Sequence, residues 1–360
     1  MEQALALATQ SLLLTAPNPR VGCVIASPEG QVLGQGHTQR AGEAHAEIMA
    51  LRDAADNGHA VQGATAYVTL EPCSHHGRTG PCVEALIAAG ISKVVASIAD
   101  PNPLVAGKGF ERLRVAGIEV EVGAGAEQSR ELNIGFFSRM EHKTPRVRMK
   151  VAASIDGQTA LQNGASQWIT SEAARIDGHA WRARSCAVLT GIGTVLEDNP
   201  RLDVRLVQTP RQPALVVVDS RLQTPPDAHL FVAGRAIHIY AAARNDAKKA
   251  ALEARGATVI YLPNEGGKVD LAAMLKDLGK REINEVHVEA GSKLNGSLLH
   301  AGLVDEALIY LAPKWLGPGQ GMAALAPLAN LTDAMALRFH SVDRIGEDLR
   351  IVARFEGRTP

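Results

Sequence analysis

A chain of 360 residues with net charge −1 and 46% hydrophobic content is long for one core and comfortable for two domains. The near-neutral balance offers no basic field for a nucleic acid, and no apolar run approaches the ~20 residues of a membrane span. Four cysteines make no disulfide framework, and the N-terminus lacks the basic start of a signal peptide, so a reducing cytoplasm is expected.

Residues 3–14 read as an amphipathic helix that Pro17-Asn18-Pro19 ends, because proline disfavours helical geometry in the residue before it. Val21–Ala26 is a buried strand, turned at Pro28-Glu29-Gly30 and returned by Gln31–Gly36 as a hairpin partner. A helix follows from His45 to Asp53, then a strand over 65–70, a helix from Pro81 to Ala89, a strand over 91–99 and helices at 110–116 and 127–140. His142-Lys143-Thr144-Pro145 is short and polar and no helix should cross Pro145, which predicts domains at 1–143 and 144–360. The second half repeats the alternation, with strands at 146–152, 186–190, 214–218, 236–241, 257–261 and 285–289 and helices at 171–184, 270–279 and 293–301. Strands at 305–312 and 347–355 should close it as antiparallel edges.

The chemistry concentrates in Glu71-Pro72-Cys73-Ser74-His75-His76-Gly77-Arg78-Thr79-Gly80-Pro81-Cys82, together with His45-Ala46-Glu47. His45, Cys73 and Cys82 are three ligands suited to Zn²⁺ with one position open, and such a site lowers the pKa of a bound water to about 7. Glu47 is too close in sequence to His45 for both to ligate comfortably and reads as the acid/base that moves protons. A closed structural zinc site would need a fourth ligand, which His75 or His76 could supply, but it has no use for Glu47. Cys82 opens a helix, where the macrodipole favours a thiolate; Cys23 and Cys186 read as small core residues. His-x-Glu followed by Pro-Cys is the pattern of zinc-dependent nucleobase deaminases, although eight residues here separate the cysteines where two are usual.

That longer loop closely resembles the deaminase half of the bifunctional riboflavin-biosynthesis deaminase–reductase family. Asn18–Val24, Asp100-Pro101-Asn102-Pro103, Lys150–Gly157, Ser166–Thr170 and Val288–Gly291 are similar to segments of the same family, so the resemblance spans nearly the whole chain. It implies an α/β protein of two domains: a cytidine-deaminase-like α/β/α layer fold, then a dihydrofolate-reductase-like α/β fold. It also implies Zn²⁺ and NADPH as cofactors and a phosphoribosylaminopyrimidine as the small-molecule substrate. Matching positions put Ala152, Trp168, Thr194, Asp198, Ser220, Gly291, Ser292, Lys293, Leu294, Asn295, Gly296 and Ser297 near the cofactor. They put Ser166, Arg182, Leu202, Arg205 and Glu289 near the substrate of the second half, and Asn18 near that of the first. Read from the residues, His75, His76 and Arg78 would shape the first substrate's rim, with Arg78 alone as readily a solvated charge, and Asn18 could instead cap a turn.

The residues alone support these positions more weakly. Gly191-Ile192-Gly193-Thr194 and Glu289–Ser297 are strand–glycine–helix junctions, fit for an anion but common. Arg182 and Arg205 could grip a 5′-phosphate bidentately or be solvated charges. Ser220 and Arg221, ending a strand, could meet the 2′-phosphate of NADPH, with Asp219 expected to point away from Ser220. A homo-oligomer is expected; a membrane or nucleic-acid partner is not. Two rivals remain: a nucleic-acid-editing deaminase, against which the neutral charge argues, and a non-catalytic zinc module joined to a nucleotide-binding domain.

Overall fold

The computed structural model describes residues 1–75 and 80–356, and the chain divides between Lys143 and Thr144 into two units. In the first, α1 (Glu2–Gln10) precedes the antiparallel pair β1 (Gly22–Ala26) and β2 (Val32–His37), then α2 (Ala46–Asp56), β3 (Thr65–Val68), α3 (Cys82–Ala88), β4 (Lys93–Ala96), α4 (Lys108–Val115), β5 (Glu119–Val122), α5 (Ala126–Leu132) and α6 (Ile134–His142). The sheet order is β2-β1-β3-β4-β5; β1 runs antiparallel to both neighbours, and β3, β4 and β5 are parallel.

Small residues set how closely the helices approach. A Cβ on Gly34 or Gly36 would fall 2.2 Å from the Ala50 carbonyl oxygen or 2.4 Å from the Met49 Cβ. These glycines and the buried Ala46, Ala50 and Ala54, four residues apart, press α2 onto β2. Gly22 does the same for α1 on the other face of the hairpin, where a Cβ would meet the Ala4 carbonyl oxygen at 1.9 Å. The first helix ends at Gln10, earlier than its periodicity predicts. The helix expected over 127–140 is two helices broken at Asn133. The Asn133 side chain accepts from the Arg20 N–H at 2.7 Å and donates to the Arg20 carbonyl at 2.9 Å, so it serves the Arg20 backbone as a neighbouring strand would.

The second unit contains β6 (Arg146–Ser154), β7 (Gln158–Leu161), α7 (Glu172–Arg184), β8 (Ala187–Gly191), α8 (Ile192–Asp198), β9 (Ala214–Val218), β10 (Ile237–Ala241), α9 (Asp246–Glu253), β11 (Ala257–Tyr261), α10 (Leu271–Lys280), β12 (Glu285–Val288), α11 (Ser292–His300), β13 (Glu306–Ala312), β14 (Gly319–Gly321), β15 (Leu337–Ile345) and β16 (Asp348–Phe355). Its large sheet has the order β11-β10-β9-β8-β12-β6-β13-β16-β15, parallel from β11 to β13 and antiparallel over the last two strands. The two late strands therefore differ from expectation. β13 pairs in parallel with β6, and β16 is antiparallel but internal; the edge is β15. β15 escapes a sequence reading because its apolar–polar alternation over Leu337–His340 is broken by a register shift between Phe339 and Ser341, and both of its faces are largely exposed.

One sheet face carries a buried ionic layer. Glu306 accepts from Arg148 at 2.6 Å and Arg354 at 3.1 Å and lies 3.4 Å from Arg146, while Glu285 takes Arg148 at 3.3 Å. The guanidiniums of Arg148 and Arg184 lie 4.4 and 4.6 Å from the ring centroid of Trp181 on α7.

Candidate active sites

Packing of α2 against β2 fixes the first site. His45 is the N-cap of α2, and Glu47, in its first turn, is 3% exposed. Cys73 follows β3, and Cys82 is the first residue of α3 and donates its N–H to the Cys73 sulfur at 3.3 Å. His45 Nδ1 lies 3.5 Å from Cys73 Sγ and 3.4 Å from Cys82 Sγ, and the three ligand atoms fall within 4.8 Å of one another. Tetrahedral bonds of ~2.3 Å to sulfur and ~2.0 Å to nitrogen place such atoms about 3.5 Å apart. The donor set and its spacing fit zinc. The Cys73 thiol is drawn down by the hydrogen bond from Cys82 and by His45, against burial, and Cys82 is pushed up by the same shared bond. Burial, with the Cys73 charge adding and His45 opposing, pushes the Glu47 carboxyl up to about 7.

A residue that sequence reasoning passed over supports this loop. Glu71 is buried, and its carboxylate accepts the backbone N–H groups of Asp100 (3.1 Å), Gly107 (2.9 Å), Gly109 (2.8 Å) and Phe110 (3.3 Å). It ties the Asp100–Pro103 motif and the start of α4 to the zinc loop. Burial, with the Asn102 N–H opposing and Glu71 and Cys73 adding, pushes the Asp100 carboxyl up to about 7. Asn18 is half-buried in a turn closed by its N–H to the Thr15 carbonyl. His75 is half-buried; His76 and Arg78 lie outside the described residues.

In the second unit Arg182 is no solvated charge. Its Nε and Nη2 donate to the two oxygens of Glu289, the latter at 2.9 Å, and Nη1 donates to the Asp203 carbonyl at 2.9 Å. The edge expected to grip a phosphate is thus taken by Glu289. Burial raises the Glu289 carboxyl, but Arg182 outweighs it and holds it well below the usual range. Lys150, which sequence reasoning also missed, brings Nζ to 3.9 Å from Glu289, and burial lowers its pKa with Arg182 adding. Its signal was the Lys150–Gly157 motif, which marked the strand but not the role. Arg205 is about half exposed on the segment after α8, with Leu202 buried beside it at φ +51°. Ser166 is half-buried.

The cofactor positions gather in part at the carboxyl ends of β8 and β12, adjacent strands of the sheet. A Cβ on Gly191 would lie 3.2 Å from Leu294, so the start of α8, which carries Thr194, and the start of α11 are neighbours. No side chain caps α11 after Gly291, which leaves the backbone donors of Ser292 and Lys293 for an anion. Asn295 is buried and donates to the Met322 carbonyl, Gly296 packs on Ala324, and Ser297 donates to the Lys293 carbonyl. These last three turn toward the protein or their own helix, so the pyrophosphate fit rests on residues 291–294. Ala152 is half-buried on β6, Asp198 is exposed at the end of α8, and Trp168 is exposed beneath the Arg175 guanidinium at 4.6 Å. The Ser220 hydroxyl accepts the Val269 N–H at 3.0 Å, and Arg221 is exposed. Asp219 is buried and accepts from the Thr224 N–H and hydroxyl, both at 2.7 Å.

Both halves match family models: residues 1–98 match the cytidine and deoxycytidylate deaminase zinc-binding region, and 145–351 the RibD C-terminal domain. A zinc-binding deaminase fold followed by a reductase fold defines a two-domain enzyme of nucleotide chemistry. The riboflavin biosynthesis protein RibD of Escherichia coli is 45% identical over 97% of this chain and 96% of its own length. Acinetobacter baumannii RibD superposes with a TM-score of 0.89 at 40% identity, covering 98% of this chain and 97% of the other. A Thermotoga maritima diaminohydroxyphosphoribosylaminopyrimidine deaminase/5-amino-6-(5-phosphoribosylamino)uracil reductase gives 0.85 at 31% identity, covering 99% and 97%. The chain belongs to the RibD family. It is a bifunctional riboflavin-biosynthesis enzyme, with a zinc-dependent deaminase domain of cytidine-deaminase-like fold and an NADPH-dependent reductase domain of dihydrofolate-reductase-like fold. No helix among the described residues is long and apolar enough to cross a membrane.

Proposed function

We propose that residues 1–143 hydrolyse the amino group from 2,5-diamino-6-(5-phosphoribosylamino)pyrimidin-4-one, and that residues 144–360 reduce the ribosyl group of the resulting 5-amino-6-(5-phosphoribosylamino)uracil to ribityl. The observation that carries the first step is a buried Glu47 beside the His45, Cys73 and Cys82 cluster. Those three residues hold the zinc, which when bound supplies a water acidic near neutral pH. Glu47, its carboxyl raised by burial, carries one proton of the attacking water to the ring nitrogen and the second, from the hydroxyl so formed, to the amino group, which leaves as ammonia. The water oxygen ends as the ring carbonyl. Asn18 hydrogen-bonds the substrate.

In the second step NADPH supplies the hydride, which ends on C1′. Opening of the ribose also requires a proton at the ring oxygen, and we assign it to Lys150, whose lowered pKa eases its release. Glu289, held by Arg182, orients Lys150 and the sugar, and Arg205 meets the 5′-phosphate. Ser166 and Leu202 complete the substrate side; Ala152, Trp168, Thr194, Asp198, Ser220 and residues 291–294 border the cofactor. The protein works in the cytoplasm as a homo-oligomer, the contact lying on the exposed apolar residues of β15.

The test is ammonia release and NADPH oxidation followed together on the diaminopyrimidine substrate, with zinc counted per chain. Wild type should hold one zinc and show both signals in sequence; Cys82→Ser should lose most of the metal and the ammonia. Full zinc retention in that variant would remove Cys82 from the ligand set.

A further inference from the structure

The segment Arg201–Arg205 has no helix or strand of its own, yet six of its ten backbone polar groups are held by side chains. Arg235 donates to the carbonyls of Arg201 (2.6 Å), Leu202 (2.7 Å) and Leu230 (2.7 Å). The Gln212 amide clasps Val204, accepting its N–H at 2.8 Å and donating to its carbonyl at 2.9 Å. Arg182 takes the Asp203 carbonyl, and His179 Nδ1 accepts the Arg205 N–H at 3.1 Å. This rigid strip presents a buried carboxylate between two arginines. Asp203 Oδ1 accepts from Arg205 Nη1 at 2.9 Å; Oδ2 accepts from Arg201 Nε at 3.0 Å and Nη2 at 2.7 Å. The arginine side chains are 57% and 48% exposed while that of Asp203 is 4% exposed, so both guanidiniums keep outward-facing donors.

Charge decides what the strip can bind. Arg205 beside Asp203 is a neutral pair and would not attract a phosphate dianion. Arg182 gives one edge to Glu289, which it shares with Lys150, and Nη1 to the Asp203 carbonyl, while Arg235 gives Nη1 and Nη2 to backbone carbonyls, so neither is left to grip a phosphate. Arg201 makes the group net positive, and the shared carboxylate fixes both guanidiniums in advance, which lowers the ordering cost of a two-arginine grip.

We propose that Arg201 is a specificity-determining residue of the reductase, forming with Arg205 a clamp for the substrate's 5′-phosphate that Asp203 holds in place. This rests on the reading that the second unit reduces a phosphoribosyl substrate through Arg205.

The experiment is steady-state reduction by full-length, zinc-loaded wild type, Arg201→Ala, Arg201→Lys and Arg205→Ala. The substrates are 5-amino-6-(5-phosphoribosylamino)uracil and its dephosphorylated riboside, at saturating NADPH. Losing charge-assisted bonds to phosphate should raise the KM of Arg201→Ala for the phosphorylated substrate about tenfold. Its kcat should stay within about twofold, since the interaction is made equally in ground and transition states. Riboside kinetics should not change, inhibition by ribose 5-phosphate should weaken in parallel, and Arg201→Lys should recover part of the loss. Equal effects on both substrates, or none, would overturn the role of Arg201. If Arg205→Ala alone abolishes the preference for phosphate, the clamp fails and the reading of Arg205 stands. If wild type shows no preference for the phosphorylated substrate, that reading fails as well.

Discussion

Glu47, the proposed proton carrier, is a carboxyl group with almost no water around it, beside the His45, Cys73 and Cys82 cluster. With no metal bound, burial raises it to about 7, which eases its uptake of a proton. Glu47→Gln keeps the shape and removes the titration. Deamination should fall by ~10²–10⁴ while zinc content is unchanged; a variant that lost its metal would make Glu47 a ligand. This residue was legible in the sequence because zinc chemistry demands particular side chains at short spacing: His45 and Glu47 share one helix turn, and Cys73 and Cys82 one loop. Glu71, Lys150 and Asp203 were not legible in role. Glu71 acts on backbone groups 29 to 39 residues away and Arg182 finds Glu289 across 107. No local pattern announces a partner at that distance.

At the scale of elements, the strands of the second sheet include two features that a hydrophobic pattern could not supply. One is the ionic layer across β6, β12, β13 and β16, where charges stand at positions an apolar template would fill. Burial disfavours ionised Glu306, but Arg148, Arg146 and Arg354 outweigh it and bring its carboxyl down to about 2. A depressed folded pKa means stability present above the ordinary value of 4.5 and lost as pH falls toward 2. Glu306→Gln leaves buried arginines without their shared partner and should destabilise the reductase unit by about 3–5 kcal/mol at neutral pH. Denaturant melts at pH 7 and pH 3 should show the mutant losing less than wild type on acidification; parallel losses would remove Glu306 from the acid response. The other feature is β15, an edge strand with Leu337, Phe339 and Val342 exposed at 40, 69 and 53%. Unprotected apolar edges of this length favour association. Phe339→Asp should lower the sedimenting mass toward the monomer with deamination intact, and an unaltered mass would move the contact off β15.

On the scale of the whole molecule, the junction was legible because proline and polar residues mark it, and each half then repeats its own strand–helix alternation. The order of strands within the second sheet was not, since β12 returns from the far side to lie between β8 and β6. Sequence alternation says that parallel strands exist, not where a later one inserts. The two units keep separate hydrophobic clusters, the first built within residues 21–137 and the others beyond residue 146. The groups proposed for the two reactions divide the same way: Glu47, His45, Cys73 and Cys82 precede Lys143, while Lys150, Arg205 and Glu289 follow Thr144. Neither chemistry needs a proton, ligand or charge from the other unit. Full-length Glu47→Gln should therefore reduce pre-deaminated substrate with wild-type kcat and KM, and full-length Arg205→Ala should release ammonia at the wild-type rate. Measuring both variants on both substrates separates the outcomes. A Glu47→Gln protein that fails to oxidise NADPH on pre-deaminated substrate would mean that the reductase depends on a competent first site, and the two activities would then be coupled through the protein itself.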